Sequence, residues 1–307
     1  MAGIEPTMLW EATDPAAALQ RRFRFASAGE AEAWLRNTLA AEYGITVTGM
    51  DRLAISSYNF LAWLQTSAGP LIAKCCGWAP AQPQLARLAE LLAWLQEEGL
   101  PVAVPLAART GSRQVLVDGR SLGLLRVVDG DLLDALQPAQ AQAAGTTLAR
   151  LHRALAAYPR AGELGSPTTP NLEENIRTWA AQKGLTSAKA EIGAGTRDLL
   201  AQIDGQALPP LPSQLIHHDF RAANLIWDGA QIAAVLDFEE LRWGHRVEDL
   251  AWAAVHLGTL YHDWGPVPQA VHELFLHAYR VELALTAEEE AWLPILLQWH
   301  GLELARK

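Results

Sequence analysis

The stretch IHHDFRAANLIWDG, residues 216–229, sets two histidines, an aspartate and an asparagine between apolar runs that look like strand ends. A metal cluster, a buried structural turn and a phosphate-transfer loop each fit such a concentration of polar groups. Phosphoryl transfer needs a cation on the phosphates, oxygen ligands for Mg²⁺ and a carboxylate that orients the attacking hydroxyl. Asp219 suits the carboxylate, and Asn224 suits a metal ligand from the same loop. Asp237, at the end of the next apolar run, supplies a second hard oxygen donor.

Composition narrows the choice. With 307 residues, half of them hydrophobic, the chain can bury a large core and exceeds one ordinary domain, which predicts two packed lobes. Its apolar runs are broken well before the roughly 18 residues a membrane span needs. The first residues lack a basic-then-apolar signal, so the expectation is a cytoplasmic chain with no membrane partner. The adjacent Cys75 and Cys76 offer neither a disulfide framework nor a Cys-rich zinc site and read as small strand hydrophobes. A net charge of -10 argues against a nucleic-acid partner. That imbalance is local: residues 211–307 hold 14 acidic and 6 basic side chains, against 20 and 18 in the rest.

Outward from the loop, the pattern changes by segment. Ser27 and Glu30 form a capping box before a helix that Gly44 stops. FLAWLQ and LIAKCC read as strands joined at Gly69 and Pro70. QLARLAELLAWLQEEG keeps leucines at helical spacing, with Leu85, Leu88, Leu92 and Leu95 as the expected stripe. RQVLVDGRSLGLLRVV carries an Asp118–Gly119 hairpin signal. Beyond residue 130 the pattern is mainly helical, with GSPTTPNLEEN as a loop and one strand pair, LIW and IAAVLDF, turning at Asp228 and Gly229. The fold class expected is α+β: a leading helix, a small antiparallel sheet with one inserted helix, then a helical lobe.

His217 to Asn224 as H-x-D-x-x-x-x-N, followed after a hairpin by the pair Asp237–Phe238, resembles the signature of the aminoglycoside phosphotransferase and choline kinase group of small-molecule kinases. LIAKCC is similar to that group's lysine-bearing strand, LGLLRVVDGD to its hinge, GTTLARLHRAL to the first helix of its helical lobe, and VEDLAWAAVH to its D-L-A helix. The resemblance implies a two-lobed protein-kinase-like fold: an N-terminal lobe over residues 1–121, a hinge over 122–130 and a C-terminal lobe over 131–307 with the acceptor site. It implies ATP, with GTP also allowed, and Mg²⁺ as cofactors and a small-molecule hydroxyl as acceptor; it leaves oligomeric state open.

Residue by residue, the resemblance makes Asp219 the catalytic carboxylate, Asn224 and Asp237 the metal ligands, and Lys74 the clamp on the nucleotide phosphates. Glu90 would pair with Lys74 or else be solvated surface. Adenine would meet backbone groups near Leu124 and Val127. His217 would support the loop, and Asp249 would brace it from behind. The family's phosphate-covering turn corresponds to LAISSYNF, which has no glycine. Ser56, Ser57 and Asn59 there would meet phosphate or form an ordinary turn. His218 stands where the family commonly has glycine. Asp129 and Asp131 would cap the next helix in preference to binding ribose.

Glu239 and Glu240 are candidate substrate contacts, Trp243 a candidate cation contact, and the run Glu239, Glu240, Glu248 and Asp263 predicts a positively charged acceptor. Two other readings stand beside the kinase. An inactive kinase-fold nucleotide-binding protein would lack the lysine or one of the two aspartates, and all are present. A zinc hydrolase would draw on His245, His256 or His262, whose spacing matches no metal motif.

Overall fold

A computed structural model describes residues 4–167, 171–261 and 266–306. The chain divides into two compact units, Met1–Asp129 and Gly130–Lys307.

The first unit begins with β1 (Thr7–Met8) and two helices where the sequence pattern predicted one. The signal for α1 (Pro15–Phe23) is an Asp-Pro pair: Asp14 caps it by accepting from the Ala17 N–H at 2.7 Å, and proline fills the first helical position. In α2 (Ala28–Thr38), the Ser27 hydroxyl accepts from the Glu30 N–H, and the Glu30 carboxylate reaches back to the Ala26 N–H at 2.6 Å. The helix ends in a π-turn over Leu39–Tyr43 that Gly44 closes at φ 70°.

β2 (Val47–Ile55), β3 (Asn59–Thr66) and β4 (Leu71–Cys76) follow, then α3 (Gln82–Glu97), β5 (Val115–Val117) and β6 (Arg120–Arg126). They form a six-stranded sheet in the order β1-β2-β3-β4-β6-β5, antiparallel except for the β1–β2 pair. Positive φ at both Asp118 and Gly119 fits the tight β5–β6 turn. Phe23, Phe25 and Phe60 pack edge-on beneath the sheet, so α1 belongs to the core the sheet buries. The buried positions of α3 are Leu88, Ala89, Leu91 and Leu95, a stripe turned from the leucine spacing expected.

Residues 122–126, expected within the hinge, continue β6. Leu124 is buried, sits opposite Ala73, and its carbonyl accepts from the Leu106 N–H at 2.7 Å; Val127 is exposed beyond the strand.

The second unit holds β7 (Asp131–Leu132), α4 (Pro138–Ala157), α5 (Leu172–Trp179), α6 (Ala190–Asp204), β8 (Gln214–Ile216), β9 (Leu225–Trp227), β10 (Ile232–Val235), β11 (Arg242–Gly244), α7 (Arg246–His256), α8 (Gln269–Glu282) and α9 (Ala287–Arg306). Its strands pair as β10-β9-β7 and β11-β8. The expected cap at Asp129 or Asp131 is not formed. Asp131 lies in β7, Gln137 precedes α4, and Asp134 organises the entry by accepting from the Leu136 N–H at 3.0 Å.

Helices α4 and α8 pack so closely that a Cβ on Gly145 would sit 2.2 Å from the Phe275 carbonyl oxygen. Two turns further along the same buried face of α4 comes His152, which that contact sets beside Tyr279 of α8.

Candidate active site

The loop after β8 hangs from one buried carboxylate. Asp249, in the first turn of α7, accepts from the His217 N–H and the His218 N–H, each at 2.9 Å, and from His152 Nε2 at 3.0 Å. Burial alone would raise its pKa, but the His152 hydrogen bond and neighbouring imidazoles outweigh that and hold it at about 2. His152 Nδ1 is 2.8 Å from the Tyr279 hydroxyl. Helix α4 thus grips α8 and, through one imidazole, fixes α7 and the loop.

His217 is fully buried and uses both ring nitrogens. Nε2 donates to the Leu236 carbonyl at 3.0 Å, so Nδ1 is the acceptor for the Asp219 N–H at 3.1 Å. Burial lowers its pKa and favours this neutral form. Phe238 lies edge-on against the same ring at 4.6 Å, which is a packing reason for phenylalanine after Asp237.

Asp219 is half-buried with both oxygens engaged: Oδ1 accepts from Arg221 Nε at 2.9 Å and Oδ2 from Asn224 Nδ2 at 2.6 Å. Burial raises its pKa most, Arg221 opposes the rise, and the charge of Asp237 adds to it. A carboxylate only accepts, so the Asn224 nitrogen must face Asp219 and the amide oxygen is turned away. The Leu236 N–H donates to the Asn224 carbonyl at 2.8 Å, so the residue just before Asp237 is bonded to the loop at Asn224. Asp237 is in the left-handed region at φ 61°, a conformation costly outside glycine that places its exposed carboxylate after β10. An amide oxygen and a carboxylate on adjoining segments form the hard donor set that suits Mg²⁺.

Glu240 is exposed at its surface, yet partial desolvation and the charges of Asp219, Asp237 and Glu239 raise its pKa. Glu239 beside it is half-buried. Glu248 does not join them: it is buried and paired with Arg242 at 2.8 Å. Asp263, the fourth carboxylate expected to attract a cation, lies outside the described residues, as does His262. Trp243 is half-buried in β11, with its indole N–H enclosed.

His218 occupies φ 63° where glycine would be unstrained, with its ring 6.0 Å from that of Trp252. Burial, then the charge of Arg242, lowers its pKa. His245 Nδ1 is committed to the Pro212 carbonyl and His256 Nδ1 to that of Trp252. Among the described residues, no three His, Cys, Asp or Glu side chains are grouped to hold a metal.

In the first unit, Lys74 is half-buried in β4, opposite Leu61 and Gly123, and Cys75 and Cys76 beside it are buried. Of the two readings of Glu90, the structure shows the solvated one: it is on the exposed face of α3 and makes no ion pair among the described residues. Asn59 is buried at the start of β3. The Ser57 hydroxyl is already engaged, donating to Glu11 at 2.9 Å.

Arg221 and His152 went unnoticed in the sequence. Arg221 lies inside the decisive motif, two residues from Asp219, and charge alternation there was its only signal. His152 sits in the helix LHRAL, but its partners are 97 and 127 residues away in sequence.

The fold is that of the protein-kinase-like phosphotransferases. Similar solved structures include the microcompartment-associated aminopropanol kinase (TM-score 0.64, 22% identity, 89% of this chain and 88% of that one). Another is the amicoumacin kinase hAmiN in complex with AMP-PNP, Ca²⁺ and Ami (TM-score 0.60, 16% identity, 90% and 86%). The chain belongs to the phosphotransferase enzyme family, which matches residues 54–292. Among relatives, the homoserine kinase of Caulobacter sp. strain K31 is 32% identical over 190 residues, 60% of this chain and 56% of that kinase. The match therefore spans little more than half of that relative's length.

Proposed function

We propose that this chain transfers the γ-phosphate of ATP to a hydroxyl of a small amino alcohol. The observation that carries this reading is the held carboxylate of Asp219, fixed by Arg221 and Asn224 on a loop braced by Asp249. Asp219 orients the acceptor hydroxyl and takes its proton as the acceptor oxygen bonds to phosphorus and the bond to the ADP oxygen breaks. Asn224 and Asp237 would hold Mg²⁺, which supplies charge neutralisation on the phosphates. Lys74 would bind the nucleotide phosphates, and GTP is a second donor to test.

The class of acceptor rests on two kinds of support. Glu239 and Glu240 put negative charge near Asp219, which favours an ammonium group. Two of the proteins this chain is similar to are named for homoserine and aminopropanol, both amino alcohols. Arg221 adds one cation at the same place, room for an acceptor that also carries a carboxylate. The test is nucleotide consumption with Mg²⁺ across paired hydroxyl compounds, with and without an amine, at low and high salt. Turnover of amino alcohols that weakens with salt supports the reading. Efficient turnover of only neutral or anionic alcohols defeats the charge argument, and no turnover of any hydroxyl compound defeats the kinase reading.

A further inference from the structure

The turn between β2 and β3, residues 56–58, is held from outside the sheet. Arg22, in the last turn of α1, donates through Nη1 to the Ser56 carbonyl at 2.6 Å and through Nη2 to Glu11 Oε2 at 2.5 Å. The other Glu11 oxygen accepts from the Ser57 hydroxyl at 2.9 Å. Carboxylate and guanidinium are both mostly enclosed, with side chains 14% and 25% exposed. Arg22 holds the Glu11 carboxyl below its usual range, against the opposing effect of burial.

The backbone reinforces the arrangement. The Leu9 N–H donates to the Ile55 carbonyl at 2.9 Å, and the Ser56 N–H to the Asn59 carbonyl at 2.8 Å. The Gly77 N–H donates to the Tyr58 carbonyl at 3.2 Å. Gly77 also packs so tightly on α1 that a Cβ there would sit 2.5 Å from the Arg22 carbonyl oxygen. The turn is thus tied at Ser56 and Ser57 to the segment that precedes the sheet, and at Tyr58 to Gly77, just after β4.

We infer that Glu11 and Arg22 are positioning residues for nucleotide binding: their ion pair presets the β2–β3 turn so that its backbone amides meet the nucleotide phosphates. The inference rests on the phosphotransferase reading and goes beyond it, because both residues precede residue 54, where the family match begins. A turn with no glycine cannot use backbone freedom to wrap a phosphate chain. Its alternative is to be ordered beforehand, which removes the cost of ordering it on binding. With the Ser57 hydroxyl engaged by Glu11 and the Ser56 N–H by the Asn59 carbonyl, the Ser57 and Tyr58 amides are what the turn has left to offer.

The test uses the whole chain and calorimetric titration with MgATP and, as the phosphate-free probe, adenosine. Glu11→Gln, isosteric and uncharged, is expected to weaken MgATP by about tenfold, as losing one charge-assisted contact does, and leave adenosine within about twofold. Arg22→Gln should do the same, and Arg22→Lys should recover much of the loss by restoring a cation. Should Arg22→Gln fail to fold, Glu11→Gln and Ser57→Ala decide the matter alone. MgATP affinity within twofold of wild type in folded Glu11→Gln, or equal losses for both ligands, overturns the clamp while leaving the kinase reading intact. Failure of the wild-type chain to bind MgATP overturns both.

Discussion

Arg221 donates to one oxygen of Asp219 at 2.9 Å while Asn224 donates to the other at 2.6 Å, so a cation and an amide hold the proposed base from opposite sides. The pairing fixes the carboxylate's plane before any acceptor arrives. It also means that replacing either neighbour should be felt at Asp219 itself.

Asp219→Asn keeps the shape but removes the proton acceptor. The expected loss in kcat is about 10²–10⁴-fold with an unchanged circular dichroism spectrum. Near wild-type turnover in a folded variant would remove Asp219 from the chemistry.

Arg221→Gln takes away a hydrogen bond to a charged group, an interaction of about 1.5–3 kcal/mol, or roughly 10- to 100-fold in kcat/KM. Lysine cannot reproduce the planar guanidinium and should rescue only part. Comparing L-homoserine with 1-amino-2-propanol reads the second expectation. If Arg221 also meets a carboxylate on the acceptor, the variant loses more with homoserine; equal losses would confine its role to Asp219.

Asp237→Ala should weaken nucleotide binding far more in the presence of Mg²⁺ than in its absence, because the carboxylate would act through the metal. Calorimetry with and without Mg²⁺ checks this, and equal losses would make Asp237 a structural residue in an unusual backbone conformation.

Asp249→Ala strands the buried His217 amide and His152 ring and the half-buried His218 amide. The expected cost is about 3–5 kcal/mol in chemical denaturation near neutral pH. A folded-state pKa of about 2 lies below the unfolded value of about 3.9. Asp249 therefore stabilises fully above the unfolded value, and the contribution fades as pH falls towards the folded one. The stability gap between wild type and variant should narrow from pH 4 towards pH 2. A gap that stays constant over that range would assign the loss to packing alone.

Gly145→Ala is a change of one methyl group, but that methyl meets the Phe275 carbonyl. Overpacking of this kind costs about 1–3 kcal/mol. A thermal melt should show it. An unchanged melting temperature would mean that α4 and α8 separate freely.

Much of this was legible in the sequence where the signal is local. The H-x-D-x-x-x-x-N spacing, the Asp228–Gly229 and Asp118–Gly119 turns and the Ser27 cap each depend on a few neighbouring residues, and the structure carries all of them. Helix α1 was equally readable, since Asp14-Pro15 is a start signal. What could not be read is pairing across distance. Glu90 stayed open in the sequence between pairing with Lys74 and facing solvent, and only the structure decides for solvent. Glu248 counted towards the acidic run expected to attract a cation, but β11 brings Arg242 over it. His152 had no local reason to matter until α4 and α7 both reached the loop.

The β1–β2 pairing has a practical consequence for anyone cutting the gene. The family match opens at residue 54, next to the last residue of β2, which spans Val47–Ile55. An excised fragment starting there would strip β3 of its neighbour and leave a row of unmet amides and carbonyls, an invitation to sticky self-association. It would also discard Phe23, Phe25 and Leu35 from the hydrophobic interior. The boundary drawn by shared ancestry and the boundary drawn by foldability differ by some fifty residues in this chain. Expression trials should follow the second.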